Sequence, residues 1–430
     1  MDAGGVQQLL ALARQAQRDG QRGEAVRLFR EVISRGGDHP VALNALGVHA
    51  LSEGRHGDAA GLFSRAVVLD PRAPDLWLNL ARAARAQGLN DRERKALAAA
   101  LEIDQRHFMA RVRMAELLER IGDEAGAVTH WSGVLAMADE IEERTPALEA
   151  MLDHASAAVA RHHDDFAAAI DGGLAGLLEP LGSSETRRFK AAVDHALGRR
   201  PIFANECAGL HFPFLPADEF FDRAHFPWME QIEAKTDEIR AELDMLLADD
   251  GAGFAPYIAM EPGTPANKWT PLDHKMDWGA LHLWKDGKRN DAACARAPKT
   301  AAAVEALPLS DLPGRTPTVF FSLLKPGAHL PAHTGVSNVR TIIHLPLIVP
   351  PDCGFRVGGE TREWVEGEAW AFDDTIEHEA WNRSDRLRAI LIFDVWNPYI
   401  RETERALLRR FYDVALAAGQ SGNKALDLSE

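Results

Sequence analysis

A chain of 430 residues, 46% hydrophobic and 26% charged, has room for two or three ordinary globular domains. Its formal charge of −16 argues against a nucleic-acid partner or an anionic membrane surface, and no apolar run approaches the ~18 residues that would span a bilayer. The N-terminal MDAGGVQQLLALARQAQRDG carries charge throughout and lacks the apolar core of a signal peptide. Cys207, Cys294 and Cys353 form no CxxC pair, so the expected setting is a reducing cytoplasm.

Residues 1–140 are built on an internal repeat. Gly20, Gly54, Gly88 and Gly122 follow one another at steps of 34 residues. The same step links Leu12, Leu46, Leu80 and Met114, then Ala13, Gly47, Ala81 and Ala115, then Phe29, Phe63, Leu97 and Trp131. Each unit reads as an apolar-periodic helix, a glycine turn and a second helix, with the small residue letting the paired helices approach. The pattern resembles the tetratricopeptide repeat, which implies an all-α solenoid whose concave face binds a peptide or partner protein. Residues 141–200 are Ala-rich and helical, an extension that continues or caps the solenoid. In it, His162 and His163 adjoin Asp164 and Asp165; neighbours on a helix diverge, which favours a solvated face over a metal site.

Prolines and aromatics rise from Arg200-Pro201, marking a domain boundary near 200. A helix is predicted from about 229 to 248, and a terminal one beginning near Arg401. Between them the pattern turns to strands: DWGALHLWKDGK with an Asp286-Gly287 hairpin signal, TPTVFFSLLKPG, TIIHLPLIVP, EAWAFDD and LRAILIFDVWNP. This describes a second domain over 201–415, a small β-barrel with a polar mouth, followed by a tail at 416–430.

The chemistry concentrates between Ser322 and Asp394. His333 and His378 each fall at a strand end, where residues converge on a barrel mouth, and a pair of neutral imidazoles suits Fe(II), Ni(II), Cu(II) or Zn(II). Strand parity sets Arg388, Ile390, Ile392 and Asp394 on one face. An arginine among apolar neighbours needs a carboxylate, either an internal acid such as Asp394 or a ligand. Parity likewise groups Arg340, Ile342 and His344. A ligand with a carboxylate at each end, such as 2-oxoglutarate, would satisfy both sets. Trp278, Trp284 and Trp381 are candidates for the mouth or for the core.

The motifs LKPGAHLPAHTG, NVRTIIHLPLIVP, FDDTIEHEAWN and RLRAILIFDVWNP, with DWGALHLWKDG and CARAPKT, resemble the aspartyl/asparaginyl β-hydroxylase family over about 200–400. The resemblance implies a double-stranded β-helix and an Fe(II)- and 2-oxoglutarate-dependent dioxygenase that releases succinate and CO2 while it hydroxylates an Asp or Asn β-carbon. The repeats would recruit the peptide or protein substrate. It further implies that His333 and His378 ligate iron, that Ser322 and Arg388 hold the distal carboxylate of 2-oxoglutarate, and that Arg340 and His344 lie at the metal-proximal end. Asp374 would be a catalytic carboxylate behind the ligands, able to hold an iron-bound water. The family lacks the usual third carboxylate ligand, whose place Gly335 takes here. A halide could enter that position, although the charge of Asp374 would repel it. Ile342 departs from the family, whose vertebrate enzyme carries arginine there. Bacterial members of the family offer a small molecule or acyl chain as the alternative substrate, and a non-catalytic repeat scaffold is the remaining reading.

Overall fold

The structure, a computed structural model, describes residues 3–249 and 253–419. It divides into two compact units, Met1–Leu181 and Gly182–Glu430.

Four helix pairs carry the repeat in the first unit. They are α1 (Ala3–Arg18) with α2 (Arg22–Gly36), α3 (Pro40–Ser52) with α4 (His56–Leu69), α5 (Pro74–Ala86) with α6 (Asn90–Ile103), and α7 (Phe108–Ile121) with α8 (Glu124–Ala138). The repeated glycines end the first helix of each pair at φ of 71°, 74°, 69° and 81°, a left-handed conformation that a side chain disfavours. Phe29, Phe63, Leu97 and Trp131 are buried in the repeat cores. The small residue at the other periodic position has a direct cause: a Cβ on Gly47 would lie 2.5 Å from the Phe63 ring. Helix α9 (Pro146–Leu178) buries Leu152, Ala155 and Ala158 against the core of the last repeats and so caps the array. The His162–Asp165 run lies farther along it, half-buried at His162 and exposed beyond.

The break between units falls earlier than the boundary expected near 200. Helix α10 (Ser183–Ala196) belongs to the second unit, where Arg187 donates from Nε to Glu360 at 2.6 Å and from Nη1 to Asp218 at 3.2 Å. The helix expected over 229–248 is interrupted, giving α11 (Met229–Glu233) and α12 (Thr236–Ala248). Two short helices follow, α13 (Asp291–Arg296) and α14 (Pro298–Glu305), and the last is α15 (Glu402–Ala417). Most of the expected 416–430 tail lies outside the described residues.

Eleven strands complete the described part of this unit: β1 (Ala255–Pro256), β2 (Trp278–Lys285), β3 (Lys288–Arg289), β4 (Val319–Leu324), β5 (His329–His333), β6 (Arg340–Ile348), β7 (Cys353–Val357), β8 (Glu360–Glu363), β9 (Trp370–Phe372), β10 (His378–Asn382) and β11 (Arg388–Trp396). They form two antiparallel sheets. The larger has the order β1-β2-β4-β11-β6-β9 with β3 on β2, and the smaller is β5-β10-β7-β8. From β4 onward the chain passes back and forth between the sheets, which is the winding of a double-stranded β-helix. The hairpin after β2 turns through Asp286 and Gly287 at φ of 52° and 78°, as an Asp-Gly turn of type I′ requires.

Parity divides the larger sheet. Ile343, Leu345, Leu347, Leu391 and Phe393 point outward and pack with Ile239, Leu243 and Leu246 of α12. The motif CARAPKT lies on this outer side: buried Glu242 of α12 accepts from the Lys299 and Thr300 amides, each at 2.8 Å, and fixes the start of α14. The opposite face of the sheet, with Ile342 and Ile390, packs with Phe355, Val357 and Ala380 of the smaller sheet. The candidate site opens between the sheets.

The Gly47 contact makes a testable distinction. Gly47→Ala should lower repeat stability by about 1–3 kcal/mol through overpacking on Phe63. Gly61→Ala in α4, with nothing within 4 Å of its Cβ, should raise stability by about 0.5–1 kcal/mol through helix propensity. Thermal unfolding of the two variants checks the opposite signs.

Candidate active site

His333 closes β5 and His378 opens β10, and the two are direct cross-strand partners. Their side chains therefore share a face, with ring centroids 4.1 Å apart. The pairing shifts register between His378 and Ala380, a bulge that ends the regular ladder beside the pair. His333 Nδ1 donates to the Pro331 carbonyl at 2.7 Å, and His378 Nδ1 to the Ile376 carbonyl at 3.0 Å. Both bonds select the tautomer that leaves the Nε2 lone pair available for an electrophile. Burial, with His378 alongside, holds His333 down at a pKa of about 3. Burial holds His378 at about 4. Both rings are thus neutral near neutral pH, the form that binds a metal.

They border a cavity of about 330 Å³. Ser322 on β4, Arg388 on β11 and His344 on β6 line it, all buried. Arg388 is 1% exposed and has no carboxylate partner among the described residues; Nη1 donates to Ser322 Oγ over a long 3.4 Å, and the guanidinium lies 5.0 Å from the Trp364 ring centre. Desolvation pushes its pKa down to about 10. Trp278 Nε1 also donates to Ser322 Oγ, at 3.1 Å. With two donors already on its oxygen, the Ser322 hydroxyl has its own proton left to give to an acceptor in the cavity. His344 is held neutral by burial and by Arg388, and its Nδ1 lacks a partner among the described residues.

Arg340 stands apart from the arrangement expected of it. It does line the cavity, but Asp394 engages its Nη1 at 3.0 Å and Asp374 its Nη2 at 2.9 Å. Two acids on one guanidinium leave it no unmet charge for a ligand, and they explain why Asp394 is not the partner of Arg388. Burial raises Asp394 to about 6 despite that ion pair. Asp374 Oδ1 remains without a partner among the described residues. The Asp374 carboxylate fills the space beside Gly335, where a Cβ would lie 2.2 Å from Oδ2. Glycine at 335 is thus required by the acid behind the histidine pair.

Four of the eight unpaired buried polar side-chain atoms among the described residues, on His344, Trp364, Asp374 and Arg388, line this one cavity. The polar deficit is concentrated where a ligand would relieve it. Among the described residues no group of three or more His, Cys, Asp or Glu side chains is arranged to hold a metal, so the histidine pair stands without a third side-chain ligand.

Several lining residues escaped the sequence reading. Trp269 sits edge-on to His333 at 4.8 Å, Tyr257 stacks on Trp278 at 3.8 Å, and Trp364 faces Arg388. Of the three tryptophans singled out, Trp278 lines the cavity. Trp284 belongs to the outer core, and Trp381 lies over Gly354. No alternation or spacing separates these cases.

Two facing antiparallel sheets with a histidine pair at the mouth and a buried arginine within describe a double-stranded β-helix with a polar cavity between its sheets. The aspartyl/asparaginyl beta-hydroxylase family model matches residues 233–398, and tetratricopeptide-repeat matches cover 10–74 and 58–108. The ornithine lipid ester-linked acyl 2-hydroxylase of Rhizobium tropici is 34% identical over 220 residues, covering 50% of this chain and 70% of that protein. The Mus musculus aspartyl/asparaginyl beta-hydroxylase is 40% identical over 139 residues, 32% of this chain but 18% of that protein's length. Aspartate beta-hydroxylase domain-containing protein 1 of Mus musculus is 35% identical over 231 residues, covering 53% and 62%. The chain belongs to the aspartyl/asparaginyl beta-hydroxylase family, with tetratricopeptide repeats ahead of the family domain.

Two outcomes follow from the site's electrostatics. The histidines are depressed below their unfolded value of about 6.5, so the stability tied to their neutral forms is complete above that pH and is lost as pH falls toward about 4 and 3. In the metal-free protein their ring resonances should not titrate by NMR between about pH 8 and about pH 5; a midpoint near 6.5 would contradict the buried geometry. Asp394 has the opposite sign: its contribution is present below an unfolded pKa of about 3.8 and lost as pH rises through about 6. Gly335→Ala should displace Asp374 and break its 2.9 Å contact with Arg340, lowering thermal stability as the pair separates.

Proposed function

We propose that the protein is an Fe(II)- and 2-oxoglutarate-dependent dioxygenase that hydroxylates the β-carbon of an Asp or Asn in a peptide or protein recruited by the repeats. The observation that carries this reading is the pairing, in one cavity, of two neutral histidines with available Nε2 atoms and a buried arginine that lacks a carboxylate. His333 and His378 would hold the metal. Arg388 and Ser322 would take the distal carboxylate of 2-oxoglutarate, and the unpaired His344 would face its other end. With both held there and O2 as the oxidant, the group would supply oxidative decarboxylation: one oxygen atom of O2 would end in succinate and the other in the product, as 2-oxoglutarate loses CO2 and a substrate C–H becomes C–OH.

The chain's own residues do the rest. Arg340 holds Asp374 in place, and Asp374 Oδ1 would accept a hydrogen bond from water at the site. Trp278 and Trp364 keep water from the arginine end, which strengthens the guanidinium's hold on an anion. Tyr257, Trp269 and Phe320 give the cavity an aromatic wall against which the reacting carbon can be oriented. Three free cysteines, at 207, 294 and 353, support a reducing, cytoplasmic setting. Among the described residues no helix is long and apolar enough to cross a membrane.

A second substrate class, a lipid acyl chain, is favoured by the same aromatic wall and by the Rhizobium tropici relative. Mass spectrometry of tryptic peptides and of extracted lipids, each incubated with the protein, would find one added oxygen in one pool or the other. Succinate release in the presence of Fe(II) tests the shared chemistry. His333→Ala should reduce it by about 100-fold or more, with loss of Fe(II) binding in an anaerobic titration. Undiminished turnover in that variant would sink the ligand assignment.

A further inference from the structure

The candidate active site carries its charge on four side chains. Arg340, Arg388, Asp374 and Asp394 are the charged residues that line it, beside three histidines that burial keeps neutral. Arg340 is clasped by Asp374 at 2.9 Å and by Asp394 at 3.0 Å, so those three side chains together carry one negative charge in excess. Arg388 alone has no carboxylate partner among the described residues, and the reading above gives it to the distal carboxylate of 2-oxoglutarate. The charges of Fe(II) and of 2-oxoglutarate cancel each other. A site loaded with both therefore retains no uncommitted cation among its lining residues.

The remaining wall offers no replacement. Ile342 stands between Arg340 and His344 on the cavity face of β6, and Phe320, Ile390 and Ile392 add apolar surface. Thr318, Thr334 and Tyr257 bring hydroxyls, which serve an amide oxygen as readily as a carboxylate. Asp374 adds an acceptor. Its Oδ2 accepts from Arg340, while its buried Oδ1 has no partner among the described residues. Such an oxygen takes a hydrogen bond from an N–H or from water and repels a second carboxylate. Lys268 lies outside this lining. It is exposed, its Nζ donates to the Ala332 carbonyl at 3.1 Å, and it acts on both metal-site histidines through space. Solvent screens an ammonium so placed.

We propose that the residue hydroxylated is Asn and that the site rejects Asp. This rests on the peptide reading above and narrows it. In Asp the carboxylate is bonded to the carbon that reacts, so the charge must enter with that carbon, and burying it without a cation costs affinity. In Asn the same position holds a neutral amide. Its N–H groups can donate to Asp374 Oδ1, directly or through the water assigned there, and its oxygen can accept from a wall hydroxyl. An acyl chain is neutral as well, but it offers the Asp374 oxygen no donor.

The test uses full-length protein, immobilised and loaded with Fe(II) and 2-oxoglutarate in the absence of oxygen. Three peptide libraries of equal length, randomised on both sides of a fixed central Asn, Asp or Ala, are passed over it in equal amounts. Mass spectrometry then quantifies the peptides retained. Asn-centred peptides should be enriched about 10-fold or more over both other sets. Retention of Asp equal to or above Asn overturns the proposal, as does retention of Asn no better than Ala. Ile342→Lys places an ammonium on the cavity face, and in that variant, with folding checked by thermal unfolding, Asp retention should rise about 10-fold relative to Asn. A folded variant that keeps the parent's ratio overturns the charge account. Lys268→Gln should leave the ratio of Asn to Asp unchanged, whatever happens to Ile342→Lys. A loss of Asp retention in Lys268→Gln would mean that the carboxylate is held at the mouth, and the proposal would fall. Retention is read without turnover, so failure of the oxygenase reading would appear separately, as absence of succinate when the same protein and its retained peptides are given oxygen.

Discussion

A buried guanidinium without a carboxylate is the constraint on which the second unit turns. Arg388 begins β11, the strand flanked by β4 on one side and β6 on the other, and it is 1% exposed. Burying an unpaired ion costs several kcal/mol even after relaxation. Ser322, Trp278 and Trp364 offset that cost only in part, through one long hydrogen bond, the indole that shares the same hydroxyl and one aromatic face. The other arginine of the cavity shows what full compensation looks like. Arg340 pairs with the opposite end of β11 and is held by two carboxylates. One arginine is saturated and the other is not, and the unsaturated one lines the same cavity as the two histidines.

Much of this was legible in the sequence, because strand parity follows from chain geometry alone. The alternation in β6 and β11 places Arg340, Ile342, His344, Arg388, Ile390 and Asp394 on the cavity side, and all of them line it. The repeat was legible for a similar reason: a step of 34 residues survives any local noise, and both the glycine turns and the buried aromatic position obey it. Partners were not legible. Arg340 meets Asp374 and Asp394 across 34 and 54 residues of chain, and no spacing rule connects positions that only the fold brings together.

The smaller sheet carries both histidines, yet no apolar alternation marks its four strands. Its strands read HLPAH, CGFRV, ETRE and HEAWN, four or five residues each, with proline, glycine and charge in place of apolar alternation. One face of this sheet is polar, and cross-strand ion pairs such as Arg356 with Glu379, rather than apolar burial, occupy it. A hydrophobic pattern cannot report strands of that kind. The histidines were found instead because they stand at strand ends in glycine- and proline-punctuated segments. Gly335 shows the same limit from the other side: its lack of a side chain reads as a missing ligand, and the fold adds that Asp374 occupies the space.

The central claim is that Arg388 is held ready for the carboxylate of 2-oxoglutarate, and its most direct test is calorimetric binding of 2-oxoglutarate to the metal-loaded, oxygen-free protein and to its Arg388→Met variant. Methionine keeps the apolar volume of the stem and removes the buried charge, so the variant should fold at least as stably as the parent while binding 2-oxoglutarate about 100-fold more weakly. Equal affinity in the two proteins, with the variant folded, would contradict the account.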